Sequence, residues 1–210
     1  MICLFGFNPI IFHIENISFF QSKYKGFFSM KRIALFFVVL AVLVSVVSFP
    51  TITITQENST TWDVYFSPRG GCTEAIIKKL DNAKVSVLVQ AYSFTSAPIA
   101  KALLNAHKRG VKVEVILDKS QKTQKYSSAT FLYNSGVPTK IDAQHAIAHN
   151  KVMVIDGETV ITGSFKFTKA AEEKNAENLL VMHDKRLASV YTKNWQVHAQ
   201  HSEIYSARGR

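Results

Sequence analysis

The chain has 210 residues, enough for one domain with a sizeable core and too few for two comfortable ones. Hydrophobic residues at 47% and charged residues at 19% exclude a wholly disordered chain, and two cysteines exclude a disulfide-rich scaffold or a four-thiolate zinc site. The 25 Lys and Arg against 15 Asp and Glu leave a net charge of +10, which favours a polyanionic partner, either nucleic acid or an anionic membrane surface, with a solvated basic surface as the plainer meaning.

Residues 1–29 hold seven of the fifteen Phe and follow neither a helical nor a strand period, so they read as an over-extended leader. Met30-Lys31-Arg32, the apolar run Ile33 to Val47, and Ser48 have the layout of a secretory signal. Val46 and Ser48 suit cleavage before Phe49, and an uncleaved N-terminal anchor is the alternative for residues 30–48. Without residues 1–48 the basic residues fall to 21 and the acidic to 14, so the bias persists at +7 over 162 residues. Cys3 goes with them, leaving Cys72 alone as a small buried residue near a helix start. Residues 49–61 are Thr-rich and read as a linker, and the folded domain spans 62–210.

Val64-Tyr65-Phe66 reads as a short strand, and Thr73 to Asn82 as a helix from apolar residues 76, 77 and 80. Lys84 to Ala91 is a β-branched run suited to a buried strand. Ser96 is a candidate N-cap for a second helix that closes at Gly110. Val111 to Leu117 alternates as a strand, residues 119–135 form a polar stretch with a helix, and Val137 to Ile141 reads as an edge strand because of Pro138. Two apolar runs, His149 to Ile155 and Thr159 to Thr162, flank Asp156-Gly157-Glu158, a hairpin signal. A short helix near 168–174, a strand over Asn178 to Met182 and a helix over Lys185 to His198 complete the order. The alternation predicts an α/β layered sandwich with a mixed, largely parallel sheet flanked by helices.

Of seven histidines, His149 sits in the pattern with mechanical meaning: His149-Asn150-Lys151, then Asp156, or H-x-K-x4-D. Residues i and i+2 of a strand share a face, so His149 and Lys151 project together while Asp156 falls at the turn. An imidazole beside a fixed ammonium suits attack on a phosphodiester, the amine holding phosphate oxygens and the imidazole supplying the nucleophile. His183-Asp184-Lys185 imitates the motif's start, but Val190 stands where the aspartate would be.

Six residues after Asp156 come Thr162-Gly163-Ser164-Phe165-Lys166-Phe167-Thr168, then Asn175-Ala176-Glu177-Asn178. With Tyr65-Phe66-Ser67-Pro68, Val89 to Thr95, Leu117 to Gln121 and Ile147 to Lys151, this resembles the phospholipase D superfamily, and within it the small secreted bacterial endonucleases with one motif per chain. The resemblance implies that His149 forms a phosphohistidine or acts as general acid, and that Lys151 and Ser164 bind the phosphate. It implies that Glu177 orients and charges the histidine, that Asp156 completes the motif architecturally, and that neither metal nor other cofactor is needed. Lys166 departs from the Asn usual in G-S-x-N; it can still donate to phosphate, but its charge disfavours protonated His149.

Two-step transfer wants one histidine to attack and a second to protonate the leaving oxygen, so a one-motif chain is expected to form a homodimer with a shared site. Tyr92, Phe94, Tyr126, Phe131 and Tyr133 are candidates to stack bases, with core packing as the alternative. Lys108, Arg109, Lys112, Lys119, Lys122 and Lys125 are candidates to flank a phosphate cleft. His198 and His201 read as surface residues, and no Cys/His spacing reads as zinc. The expected activity is metal-independent cleavage of DNA, and of RNA, by an exported or membrane-anchored enzyme. The alternatives are a phospholipid phosphodiesterase and a catalytically impaired nucleic-acid-binding or uptake protein.

Overall fold

The computed structural model describes residues 60–206. The expectations for the leader, for the signal or anchor at 30–48 and for most of the linker lie outside them. Within them the order is β1 (Thr61–Ser67), α1 (Cys72–Asn82), β2 (Ser86–Ala91), α2 (Ala97–Lys108), β3 (Lys112–Asp118), a 3-10 turn (Lys119–Lys122), α3 (Ala129–Asn134) and β4 (Thr139–Asp142). Then follow β5 (Lys151–Ile155), β6 (Thr159–Gly163), α4 (Lys169–Glu173), β7 (Glu177–His183), α5 (Lys185–His201) and β8 (Glu203–Ile204). Among the described residues no helix is long and apolar enough to cross a membrane.

One eight-stranded sheet runs β1-β7-β6-β5-β2-β3-β4-β8. On one face α1 to α4 supply Cys72, Ile76, Leu80, Ile99, Leu103, Leu132 and Ala171, which pack on Val87, Val89, Val113, Val115, Met153 and Val181 of the strands. The other face is covered by α5, whose Leu187, Ala188 and Tyr191 meet Leu88, Val152, Val154 and Val160. Burial on both faces explains why β2 and β5 are nearly continuous apolar runs. Trp195 fastens α5 to the centre of the sheet, its indole N–H donating to the Val89 carbonyl at 2.9 Å. The layered α/β sandwich is therefore present as expected.

The sheet is mixed but not largely parallel. Only β2–β3 and β3–β4 run parallel, through crossovers that hold α2 and α3. The remaining pairings, β1–β7, β7–β6, β6–β5, β5–β2 and β4–β8, are antiparallel. A parallel neighbour needs a crossover of a dozen residues or more, and the β5–β6 turn is far too short to make one. Nor is β4 an edge: Pro138 lies just before it, and β8 pairs along its outer side through Lys140 and Ile204. Ser96 does occupy the cap position of α2, with extended backbone, but its side chain makes no capping bond. Cys72 is fully buried at the start of α1, and burial pushes its thiol up to about 11, which keeps it protonated and inert.

Candidate active site

The antiparallel arrangement brings four chain segments together at one end of the sheet: the start of β5, the segment after β6, the start of β7 and the residue after β2. His149 and Lys151 enter from the first. The loop before His149 is tied down on its inner side, because the buried Asp118 at the end of β3 accepts the Ala148 N–H at 2.8 Å and the Ser120 N–H at 2.9 Å. The Tyr92 N–H bonds the Asn150 carbonyl at 2.8 Å, so β2 fixes the chain on the other side of His149.

Gly163 ends β6 with φ near 138°, and a Cβ there would lie 2.3 Å from the Asn178 carbonyl oxygen. Only glycine permits this approach, and it delivers Ser164 into the site. Ser164 is then locked to β7, its hydroxyl accepting the Asn178 N–H at 3.0 Å and its own N–H donating to Asn178 Oδ1 at 3.3 Å. Phe165 and Phe167 are fully buried on either side of Lys166, which leaves the lysine directed at the cleft. Glu177 starts β7, with its N–H held by the Ser67 hydroxyl at 3.2 Å.

The cleft these segments form has a volume of about 460 Å³ and is lined by His149, Lys151, Ser164, Lys166 and Glu177, with Thr162 and Tyr191 beside them. Five of the six expected site residues thus converge. Asp156 does not: it sits at the far end of β5 with φ near 55° and accepts the backbone N–H groups of Lys84, Val85 and Ser86. Its work is to clamp the β5–β6 turn onto the start of β2, an architectural part away from the cleft.

His149 is exposed at the mouth of the cleft, while the Lys151 side chain is buried and its ammonium donates to the His149 carbonyl at 2.6 Å. The Tyr92 ring lies 4.6 Å from the His149 ring and 5.5 Å from the Lys151 ammonium. Desolvation, then the charges of Lys151 and Lys166, hold the His149 imidazole below its ordinary value. Desolvation and Lys166 likewise lower Lys151, with Glu177 opposing them. Burial alone would raise the Glu177 carboxyl, but hydrogen bonds from Asn175 and Lys166 outweigh it and hold the group below the usual carboxylate range.

Glu177 was expected to orient His149. Its carboxylate instead accepts Lys166 Nζ at 3.1 Å and Asn175 Nδ2 at 3.0 Å, and among the described residues the imidazole has no carboxylate partner. Lys166, where an uncharged asparagine was expected, forms an ion pair with that carboxylate.

The other expectations divide. Of the aromatic candidates, Tyr92 reaches the site, Phe94 is buried against Phe167, and Tyr133 packs on Tyr205. Lys112 pairs with Glu114, Lys122 with Glu203, and Arg109 donates to the Leu80 carbonyl, so these cations serve local structure away from the cleft. His198 and His201 are not free surface residues: both ring systems turn inward to Asp142. Sequence reasoning assigned no role to Asp118 or Tyr191; an acid closing an apolar strand was a visible signal for Asp118, and nothing marked Tyr191.

A profile described as "Cardiolipin synthase, PLD-like domain" matches residues 76–198. The chain belongs to the phospholipase D superfamily. It is 46% identical over 130 residues to a phospholipase D of Rickettsia felis, covering 62% of this chain and 65% of that protein. It is 32% identical over 121 residues to the mitochondrial cardiolipin hydrolase of Xenopus laevis, covering 58% of each. The chain thus spans just under two thirds of the length of these curated relatives. Among solved structures, Nuc from Salmonella typhimurium, a phospholipase D family member, aligns with a TM-score of 0.67 at 40% identity, covering 70% of this chain and 98% of that one. NucT from Helicobacter pylori aligns at 0.64 and 25% identity over 70% and 99%.

Proposed function

We propose that the protein is a phosphodiesterase that cleaves nucleic acid as a homodimer. The observation that carries this reading is the cleft itself: an exposed imidazole with a depressed pKa beside two ammonium groups and a hydroxyl, open to solvent at its mouth. A polymer can lie across such a mouth, and the +7 of residues 49–210 attracts its backbone.

The chemistry follows from the groups present. Lys151, Ser164 and Lys166 hold the non-bridging phosphate oxygens and offset the charge that gathers on them. The neutral His149 nitrogen attacks phosphorus, forming a P–N bond as the P–O bond to the leaving oxygen breaks. His149 of a second copy gives that oxygen its proton, then takes one from water as the water attacks phosphorus and frees the first imidazole. A nitrogen nucleophile needs no metal-bound hydroxide. Two features support pairing of chains: among the described residues His149 has no carboxylate hydrogen-bond partner, and Trp62, Val64 and Phe66 form an exposed apolar stripe along the edge strand β1. The signal-like segment at 30–48 supports work outside the cytoplasm, either released or anchored; cell fractionation tests that, and a wholly cytoplasmic pool would refute it.

The names of the curated relatives favour a second reading, hydrolysis of a phospholipid headgroup by the same residues. The purified chain is incubated with plasmid DNA and, separately, with phosphatidylcholine and cardiolipin vesicles, without added divalent cation, beside His149→Ala. DNA cleavage lost in the variant supports the nuclease. Headgroup release without DNA cleavage refutes it in favour of the lipid reading, and DNA binding with neither reaction would assign the cleft a binding role.

A further inference from the structure

On the other side of the loop that carries His149, four side chains from distant parts of the chain converge. Asp142 is the last residue of β4, His145 lies three residues on, and His198 and His201 share one face of the last turns of α5. None of the four lines the cleft. Asp142 is fully buried, and its Oδ2 lies 2.7 Å from His198 Nδ1, 3.2 Å from His145 Nδ1 and 3.3 Å from His201 Nε2. The three imidazole rings stand 4.9 to 5.3 Å apart, centre to centre. One donor atom from each residue falls within 4.8 Å of the others.

We propose that Asp142, His145, His198 and His201 form a binding site for a zinc-class divalent cation. A network of hydrogen bonds is the rival account, and it leaves a defect: His201 Nε2 is buried yet has no hydrogen bond of acceptable geometry, although it faces the carboxylate. A metal ion bound by that nitrogen removes the defect. Three imidazole nitrogens and one carboxylate oxygen suit Zn²⁺, and are a poor set for Mg²⁺ or Ca²⁺, which want oxygen. Tetrahedral zinc with bonds of ~2.0–2.2 Å places its ligands ~3.5 Å apart, so the cluster closes by small side-chain rotations. Its pattern, D-x-x-H with H-x-x-H, pairs two residues on a strand and its loop with two on a helix. The His145 side chain, 44% exposed, leaves a path for the ion to reach the site.

The position gives the ion a structural task. It joins the end of α5 to the end of β4 and to the loop running into His149, four residues beyond His145. The Lys119 ammonium, bonded to the His145 carbonyl at 3.0 Å, already braces the same turn. The site takes no part in phosphoryl transfer, and its existence does not depend on which phosphodiester is cleaved.

The test uses the full chain, purified without a polyhistidine tag and without chelator, with metal content read by inductively coupled plasma mass spectrometry before and after dialysis against micromolar zinc. The account predicts about one zinc per chain, a visible tetrahedral spectrum on replacement by Co²⁺, and a melting temperature that rises with zinc. His198→Asn with His201→Asn lowers zinc content at least tenfold, while His149→Ala keeps it. His145→Asn, at the most exposed ligand, provides a variant that folds if the double variant does not, and it weakens zinc binding at least tenfold. Wild-type chain that takes up less than a tenth of an equivalent, or folded variants that retain the full equivalent, would overturn the proposal.

Discussion

Lys166 donates to Glu177 at 3.1 Å, and this bond sets the electrostatics of the cleft. It couples the one position that departs from the family's pattern to the carboxylate expected to serve the histidine. The pair lowers Glu177, and the lysine also lowers His149 and Lys151. Lys166 and Asn175 both donate to the same oxygen of Glu177, Oε1, so the lysine neutralises the carboxylate without occupying all of its acceptor capacity.

Replacing Lys166 with Asn tests that coupling. The variant frees Glu177 and removes a cation that faces the phosphate. The expected result is retained cleavage with a several-fold higher KM for DNA and a shallower salt dependence of binding. A hundredfold rise in kcat would contradict this and show that Lys166 impairs the natural site.

The depressed His149 predicts a pH dependence with a definite sign. Desolvation and the flanking lysines disfavour the imidazolium, so the nucleophile is neutral down to pH values below the ordinary histidine pKa of ~6.5. The acid limb of kcat/KM therefore falls below that value in the wild type and moves upward in Lys166→Asn. An acid limb that stays in place in the variant would remove Lys166 from the set of groups acting on His149.

Asp156 predicts a stability effect separate from catalysis. Burial would raise its carboxyl, but the N–H groups of Ser86, Val85 and Lys84 outweigh burial and hold it below the usual range. Its contribution is therefore full above the unfolded carboxylate pKa and is lost as pH falls through the lower folded value. Asp156→Ala costs ~2–3 kcal/mol, or roughly 5–10 °C in melting temperature, with little change in the turnover of folded molecules. Asp156→Asn tolerates the left-handed backbone and keeps one acceptor oxygen, so it removes the charge and the bond that the second oxygen accepts from the Lys84 N–H. Equal melting temperatures for wild type and Asp156→Ala would refute the clamp.

A shared site predicts how mixtures behave. Wild type and His149→Ala, unfolded and refolded together, form mixed dimers in which the two-step cycle lacks one histidine. Activity then follows the square of the wild-type fraction. A linear dependence, or full activity from a species of monomer mass, would contradict the homodimer.

What was legible in the sequence was what lies close along the chain. His149 and Lys151 are two residues apart on a strand, so their shared side follows from the period of the pleat. The buried strands and the helices over them follow from apolar runs and spacing. The direction of pairing does not: the antiparallel position of β5 beside β2 depends on which edge is free once α2 and α3 have made their crossovers. The partner of Glu177 was hidden for a similar reason, since Lys166 meets it only after β6 and β7 pair and Gly163 admits the close approach. The Asp142 cluster escaped because its halves lie more than fifty residues apart, each unremarkable alone.

The central claim is that His149 attacks phosphorus and a second displacement releases it. The stereochemistry at phosphorus reports this most directly, measured on a chiral phosphorothioate diester cleaved in ¹⁸O-labelled water. Two in-line displacements predict overall retention of configuration. Inversion would mean that water attacks in a single step, and would contradict the covalent role given to His149.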